Sequence, residues 1–175
     1  MEPDRPWNVP VRVEEVPETG LGMHLCADID MRERIARIAD VLALPRLEAD
    51  FMITRRGRGL RVVGEVSATV EQTCVISLDP IENRITEPVD LIFEPAPDSD
   101  LPGLARGEPE GEPPELLQGG CVDLGALATE FLLLGIDPYP RKPGATFAPP
   151  AAAAATDGPF AALAALKGRR NEGGR

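Results

Sequence analysis

The chain has 175 residues, with 18 Lys plus Arg against 29 Asp plus Glu, one His and a formal net charge of −11. That length fits one domain with room for tails, and it can bury a core without staples; aromatics are only 4%, so the core must be aliphatic. The charge argues against a protein that coats nucleic acid over its whole surface, though not against a local basic patch. Reading along the chain, residues 7–16 are predicted to be a strand, with Val9, Val11 and Val13 alternating onto one buried face. Residues 22–25 (GMHL) read as the edge of a strand. A helix is predicted over 30–44, with Asp30 and Glu33 as a capping box, Ile35, Ile38 and Leu42 on one stripe, and Pro45 as its stop.

Residues 47–54 and 60–72 read as two strands joined by Arg55-Arg56-Gly57-Arg58-Gly59, whose two glycines supply the positive φ of a hairpin turn. Val62 and Val66 fall on one face and Val63 on the other, and Gly64 is the expected place for a bulge. Residues 74–80 turn at Asp79-Pro80. A strand follows over 81–93, with Pro88 predicting an edge or a break within it. Residues 94–120 hold Pro, Gly and acid, and too little apolar surface to offset chain entropy, so a disordered or mobile insert is expected. From 122 to 136 the spacing predicts a second helix, capped by Asp123, with Leu124, Leu127, Phe131 and Leu134 at helical intervals. Leu132 and Leu133 widen its apolar face. Asp137-Pro138 and Tyr139-Pro140 end it.

Beyond Pro140 the composition is that of an Ala/Pro-rich linker, within which residues 159–167 (PFAALAALK) suffice for two helical turns, too short to be stable alone. The charge is uneven. Residues 94–123 carry eight acids and one base, whereas 141–175 carry six bases and two acids. One domain over 1–140, with an acidic insert at 94–120, and a basic tail over 141–175 is the expected organisation. The expected fold class is α+β: an antiparallel sheet or partly closed β-barrel packed by two main helices.

No run of about 18 apolar residues occurs, so no membrane span is expected. Residues 1–10 hold Glu2 and Asp4 and no apolar core, so no secretory signal is expected. Cys26, Cys74 and Cys121 are odd in number and far apart, which points away from a disulfide framework and toward a reducing, cytoplasmic compartment. With one His and no Cys-x-x-Cys pair, no metal or cofactor site is expected. Phosphate-cradling loops and nucleophile elbows are missing from the sequence. His24 reads as a surface or core-rim histidine. Cys74 reads as a structural thiol, because its local sequence offers neither a helix N-terminus nor an adjacent cation to lower its pKa. The concentrated basic feature is Arg55, Arg56, Arg58 and Arg61 around the hairpin tip. Four guanidinium groups there are able to grip phosphate. The plainer use is a solvated turn whose arginines blunt edge pairing. No aromatic residue lies among them to stack on bases.

Three stretches together carry a resemblance: EQTCVISLDPIENRITEPVDLIFEP (71–95), VDLGALATEFLLLGIDPYPRKPGATF (122–147) and PFAALAALK (159–167). Their order, with an acidic variable stretch between the first two, resembles the YceD family of large ribosomal RNA subunit accumulation proteins, in the form seen in alphaproteobacteria. The resemblance implies a cytoplasmic, non-enzymatic factor that supports synthesis, processing or stability of 23S ribosomal RNA. Its implied partners are 23S rRNA or its precursor, or a large-subunit ribosomal protein, with no membrane and no small-molecule substrate. Arg55, Arg56, Arg58, Arg61, Arg141 and Lys142 are the candidate contacts. Cys74, Leu78, Asp123, Asp137 and Pro138 are family-motif positions without an assigned role. Many members carry a Cys-x-x-Cys-Leu pattern; here Ser77 stands in the second cysteine's place, so no role for a cysteine pair transfers. Two other readings compete: a carboxylate and metal-dependent RNA-processing hydrolase, and a protein-interaction domain in lipid metabolism.

Overall fold

The computed structural model describes residues 6–95, 114–117 and 119–147. Most of the acidic insert and the 159–167 segment lie outside the described residues. The elements in chain order are β1 (Pro10–Arg12), β2 (Leu21–Cys26), α1 (Ile29–Ile38), β3 (Ala43–Arg56), β4 (Gly59–Thr73), β5 (Pro80–Pro95), β6 (Glu115–Leu117), β7 (Cys121–Asp123) and α2 (Leu124–Gly135). This is an α+β fold. Five strands form one sheet in the order β2-β3-β4-β5-β6, and β1 pairs with β7 separately. All pairings are antiparallel except β5 with β6. Of the two expected architectures it is the open sheet that forms; β2 and β6 are its edges, and no closed barrel is found among the described residues.

The sheet has one covered face, and the period-2 pattern sets which one. Leu47, Ala49, Phe51 and Ile53 of β3, Leu60, Val62, Val66 and Val70 of β4, and Ile85 and Val89 of β5 are buried. Their odd or even neighbours, such as Met52 and Val63, are exposed. Helix α1 contributes Ile35 and Ala36 to that core, and α2 contributes Leu124, Leu127, Ala128 and Leu132. No helix among the described residues is long and apolar enough to cross a membrane.

Several expectations are corrected. The first strand is only Pro10–Arg12, because a 3₁₀ turn over Val13–Glu15 follows it at once. The alternation of Val9, Val11 and Val13 survives as burial without a long ladder. Helix α1 is capped by Asp28, whose carboxylate accepts from the Met31 N–H at 2.8 Å, and not by Asp30. It stops at Ile38, since Asp40 takes a left-handed φ of 53° and the Val41 N–H reaches back to the Ala36 carbonyl at 3.1 Å, as in a Schellman cap. Residues 43–44 therefore open β3, and Leu42 is 58% exposed.

The hairpin turn is Gly57-Arg58, and only Gly57 needs positive φ (59°). Gly59 is required for space: a Cβ there would sit 2.0 Å from the Phe93 carbonyl oxygen. Gly64 marks no bulge, since Phe51 pairs with it in regular register; a Cβ there would meet the Asp50 carbonyl at 2.0 Å. Pro88 does not break β5. It lies opposite Glu65, in a stretch where β5 has the expected edge character: among the described residues no strand pairs with its other side there, because β6 meets only Phe93–Pro95. Residues 115–117 are a strand rather than insert, and residues 121–123 form a strand before the second helix, which starts at Leu124. Asp123 caps α2 as expected, but Leu134 is 72% exposed and Leu133 is also exposed, so the helix is buried on Leu132's side alone.

Candidate functional site

Strand β4 runs from the hairpin tip to Cys74, and the candidate residues divide between its two ends. Fifteen residues at about 3.3 Å each put those ends some 45 Å apart along the strand.

At the tip the four arginines have separate uses. Arg55 Nε donates to the Val16 carbonyl, and its Nη2 donates to the Glu14 carbonyl at 2.9 Å. This side chain ties the turn after β1 to the end of β3. Arg61 forks onto the Asp90 carboxylate across the β4–β5 pair, at 2.8 and 2.7 Å. That fork holds the Asp90 carboxyl below its usual range and raises Arg61. Arg56 and Arg58 are exposed at the turn. The tip therefore does not present four open guanidinium groups, and Arg141 and Lys142 stand at the opposite end of the sheet.

The other end gathers residues far apart in sequence. After Thr73 the chain enters a tight loop in which the Cys74 N–H donates to the Asp79 carbonyl (2.8 Å) and the Leu78 N–H donates to the Cys74 carbonyl (2.9 Å). Leu78 takes a left-handed φ of 60°. The segment after α2 docks on this loop: Val75 N–H donates to the Pro140 carbonyl at 3.0 Å. Gln72, buried, donates from Nε2 to the Asp137 carbonyl at 2.8 Å and accepts from Asn83 Nδ2 at 3.0 Å. Lys142 Nζ pairs with Asp79 at 3.0 Å, and the Asp137 carboxylate accepts the Tyr139 N–H at 2.8 Å. Lys142 thus belongs to the folded body rather than to the tail.

Cys74 lies at the centre of this junction and is fully buried. Its sulfur accepts from the Lys142 N–H at 3.3 Å and the Ser77 N–H at 3.4 Å. These donors, with lesser help from Ile76, lower the thiol to about 6 and outweigh the burial that pushes it up. The leading donor is 68 residues away and has no local signature, whereas the next, Ser77, is only three residues on. Ser77, in the place of a second cysteine, serves as a donor to the first. Among the described residues no group of three or more His, Cys, Asp or Glu could hold a metal ion.

Around the buried thiol the surface mixes apolar with charged side chains, since Asp79, Asp137, Arg141 and Lys142 are exposed there too. Leu78 is 74% exposed and Tyr139 70%, and Leu42 and Val75 are exposed at the same end. A shallow, mainly polar depression lies at this end, lined by Asp40, Gln72 and Thr73 together with Val41, Leu42, Val75, Pro138 and Pro140. Leu78, Asp137, Pro138 and Cys74 therefore meet here, whereas Asp123 does not. It sits at the opposite end of α2, where its Oδ1 accepts from Val9, Gly125 and Ala126 N–H groups. Its role is that of a cap and a tie to the N-terminal segment. Sequence reasoning missed Gln72, Asn83 and Asp79; only the Asp79-Pro80 turn and the DPYPRK run hinted that these segments matter.

The model of one protein family, described as "Large ribosomal RNA subunit accumulation protein YceD", matches residues 62–167 of the 175. The match opens within β4 and takes in the Cys74 loop, α2 and the segment that docks on that loop. Neither the curated proteins nor the solved structures contain a match to the chain. Since the match spans well over half of its length, the chain belongs to the YceD family of large ribosomal RNA subunit accumulation proteins.

Proposed function

We propose that this chain supports accumulation of 23S ribosomal RNA by binding in the cytoplasm, without making or breaking bonds. The observation that carries the reading is the junction around Cys74. The one thiol among the family-motif positions is buried, its sulfur occupied by backbone N–H groups, while Leu78 and Tyr139 stand exposed beside it. A fixed surface with Leu78 and Tyr139 exposed is suited to contact rather than to chemistry.

The same surface favours a protein partner, a large-subunit ribosomal protein, over bare RNA. Its most exposed large side chains, Leu78 and Tyr139, are aliphatic and phenolic, and the chain's net charge of −11 repels phosphate while it attracts a basic protein. Arg56, Arg58 and Arg141 are the side chains for a secondary contact to 23S rRNA or its precursor.

Deleting the gene and measuring the ratio of 23S to 16S rRNA and of large to small subunits tests the role. A fall in both is expected, restored by the wild-type chain but not by a Leu78→Gly, Tyr139→Ala double variant. Unchanged ratios contradict the reading. Cleavage of precursor rRNA by the pure protein with Mg²⁺ would also contradict it. A salt titration of RNA binding with Arg56, Arg58 and Arg141 changed to Ala weighs the secondary contact: a shallower salt slope supports it, and an unchanged slope removes it.

A further inference from the structure

Among the described residues strand β2 is an edge, hydrogen-bonded to β3 alone. The Ala27 N–H donates to the Leu47 carbonyl at 3.0 Å, and the register places those two residues opposite one another. Antiparallel alternation then turns the backbone of Leu21, Met23 and Leu25 toward β3 and that of Gly22, His24 and Cys26 away from it. All three outward residues are exposed, and none of their backbone groups has a hydrogen-bond partner among the described residues. Edge strands are ordinarily guarded by proline, by a bulge or by charge. The run Leu21–Cys26 contains no proline, Lys, Arg, Asp or Glu, and its register with β3 is unbroken.

Charge stands around the strand instead of within it. Glu14, Glu15 and Glu18 precede β2, and Asp28 and Asp30 follow it; between residues 12 and 30 the only Lys or Arg is Arg12. On the neighbouring strand the exposed Asp50 carboxylate meets His24 Nδ1 at 2.7 Å. A second copy pairing antiparallel would set the glutamate end of one β2 against the aspartate end of the other, which opposes self-association. RNA phosphates meet the same repulsion.

We propose that the free edge of β2 takes up an extended, Lys- or Arg-rich segment of a protein partner as a sixth strand. Main-chain hydrogen bonds to Gly22, His24 and Cys26 supply the affinity, and cations flanking the paired residues meet Glu18, Asp28 and Asp50. The inference rests on the binding function above and adds the kind of segment bound.

The test uses the full chain and a synthetic decapeptide of alternating Lys and Val, with a Glu-Val decapeptide as control. Proline at position 24 removes an N–H that points outward and fills its place, so the pairing to β3 survives. The Lys-Val peptide is expected to slow hydrogen exchange at His24 and Cys26, and His24→Pro to weaken it at least tenfold while the melting midpoint holds. Should His24→Pro melt early, Asp50→Lys, an exposed change, is expected to weaken the same peptide and leave the midpoint alone. Equal binding by the variants, equal binding of the Glu-Val peptide, or self-association through this edge overturns the proposal. In a deletion strain, restoration of 23S rRNA by His24→Pro overturns the strand-addition inference alone, whereas a deletion without any 23S defect overturns the functional reading beneath it.

Discussion

The two ends of β4 differ in how sequence neighbours become structural neighbours. At the hairpin tip four arginines lie within seven residues, yet Arg55 reaches back to the turn after β1 and Arg61 crosses to Asp90 on β5. Proximity in sequence did not make a shared patch, because alternate strand positions face opposite sides of the sheet and find different partners. At the Cys74 end the reverse holds. Gln72, Cys74 and Asp79 are joined by Asp137, Pro140 and Lys142, brought from more than 60 residues away. Two of the four arginines of a charge-dense turn serve as structural ties, while most of the family's motif residues assemble at a junction built from distant segments.

That contrast is open to direct perturbation. The largest effect is expected at the tip, from backbone and not from charge. Gly59→Ala drives a Cβ into the Phe93 carbonyl and is expected to cost about 3 kcal/mol in denaturant unfolding. A neutral result would mean that β5 yields easily there. Next comes the junction. Gln72→Leu keeps the bulk, but it removes the donor to Asp137 and leaves Asn83 without its acceptor, at an expected cost of about 2 kcal/mol.

Cys74 then separates the two ends by pH. Its folded value, about 6, lies below the ordinary 9.0. The thiolate's contribution is therefore fully present above about pH 9, declines as the pH falls, and is gone below about pH 6. Relative to Cys74→Ala, the wild-type unfolding midpoint is expected to drop across that window; parallel curves would show that the Lys142 and Ser77 donors do not hold a thiolate. The smallest effect is expected from Arg61→Ala, an exposed pair whose loss should leave the midpoint within experimental error. A clear destabilisation by this change would make the tip charges structural in a stronger sense than their geometry implies.

Much of the sheet was legible because β4 and β5 alternate cleanly: Val62, Val66 and Val70 announce their buried face, and Asp123 announces the start of α2. Less legible was anything decided by a tie. Asp28 and Asp30 are both capping residues by type, and the choice fell to the one whose carboxylate meets the Met31 N–H. Leu134 fits a helical stripe yet is exposed, since the buried face of α2 runs through Leu124, Ala128 and Leu132 instead. The tight approaches at Gly59 and Gly64 depend on a neighbouring strand and have no signature of their own. As for the site, the residues at Cys74, Leu78, Asp137 and Pro138 were visible as a family pattern. Their convergence was not, because it is made by backbone groups of Pro140, Asp137 and Lys142 that no local spacing encodes.

The proposed contact of the junction end with ribosome-assembly components is open to a direct probe. A photoreactive phenylalanine analogue placed at position 139 of the full chain, activated in growing cells and followed by mass spectrometry of protein and sequencing of RNA, addresses it directly. Crosslinks to a large-subunit ribosomal protein, alone or with 23S rRNA, are the predicted result. Reproducible crosslinks confined to enzymes of lipid metabolism or other non-ribosomal proteins would contradict it.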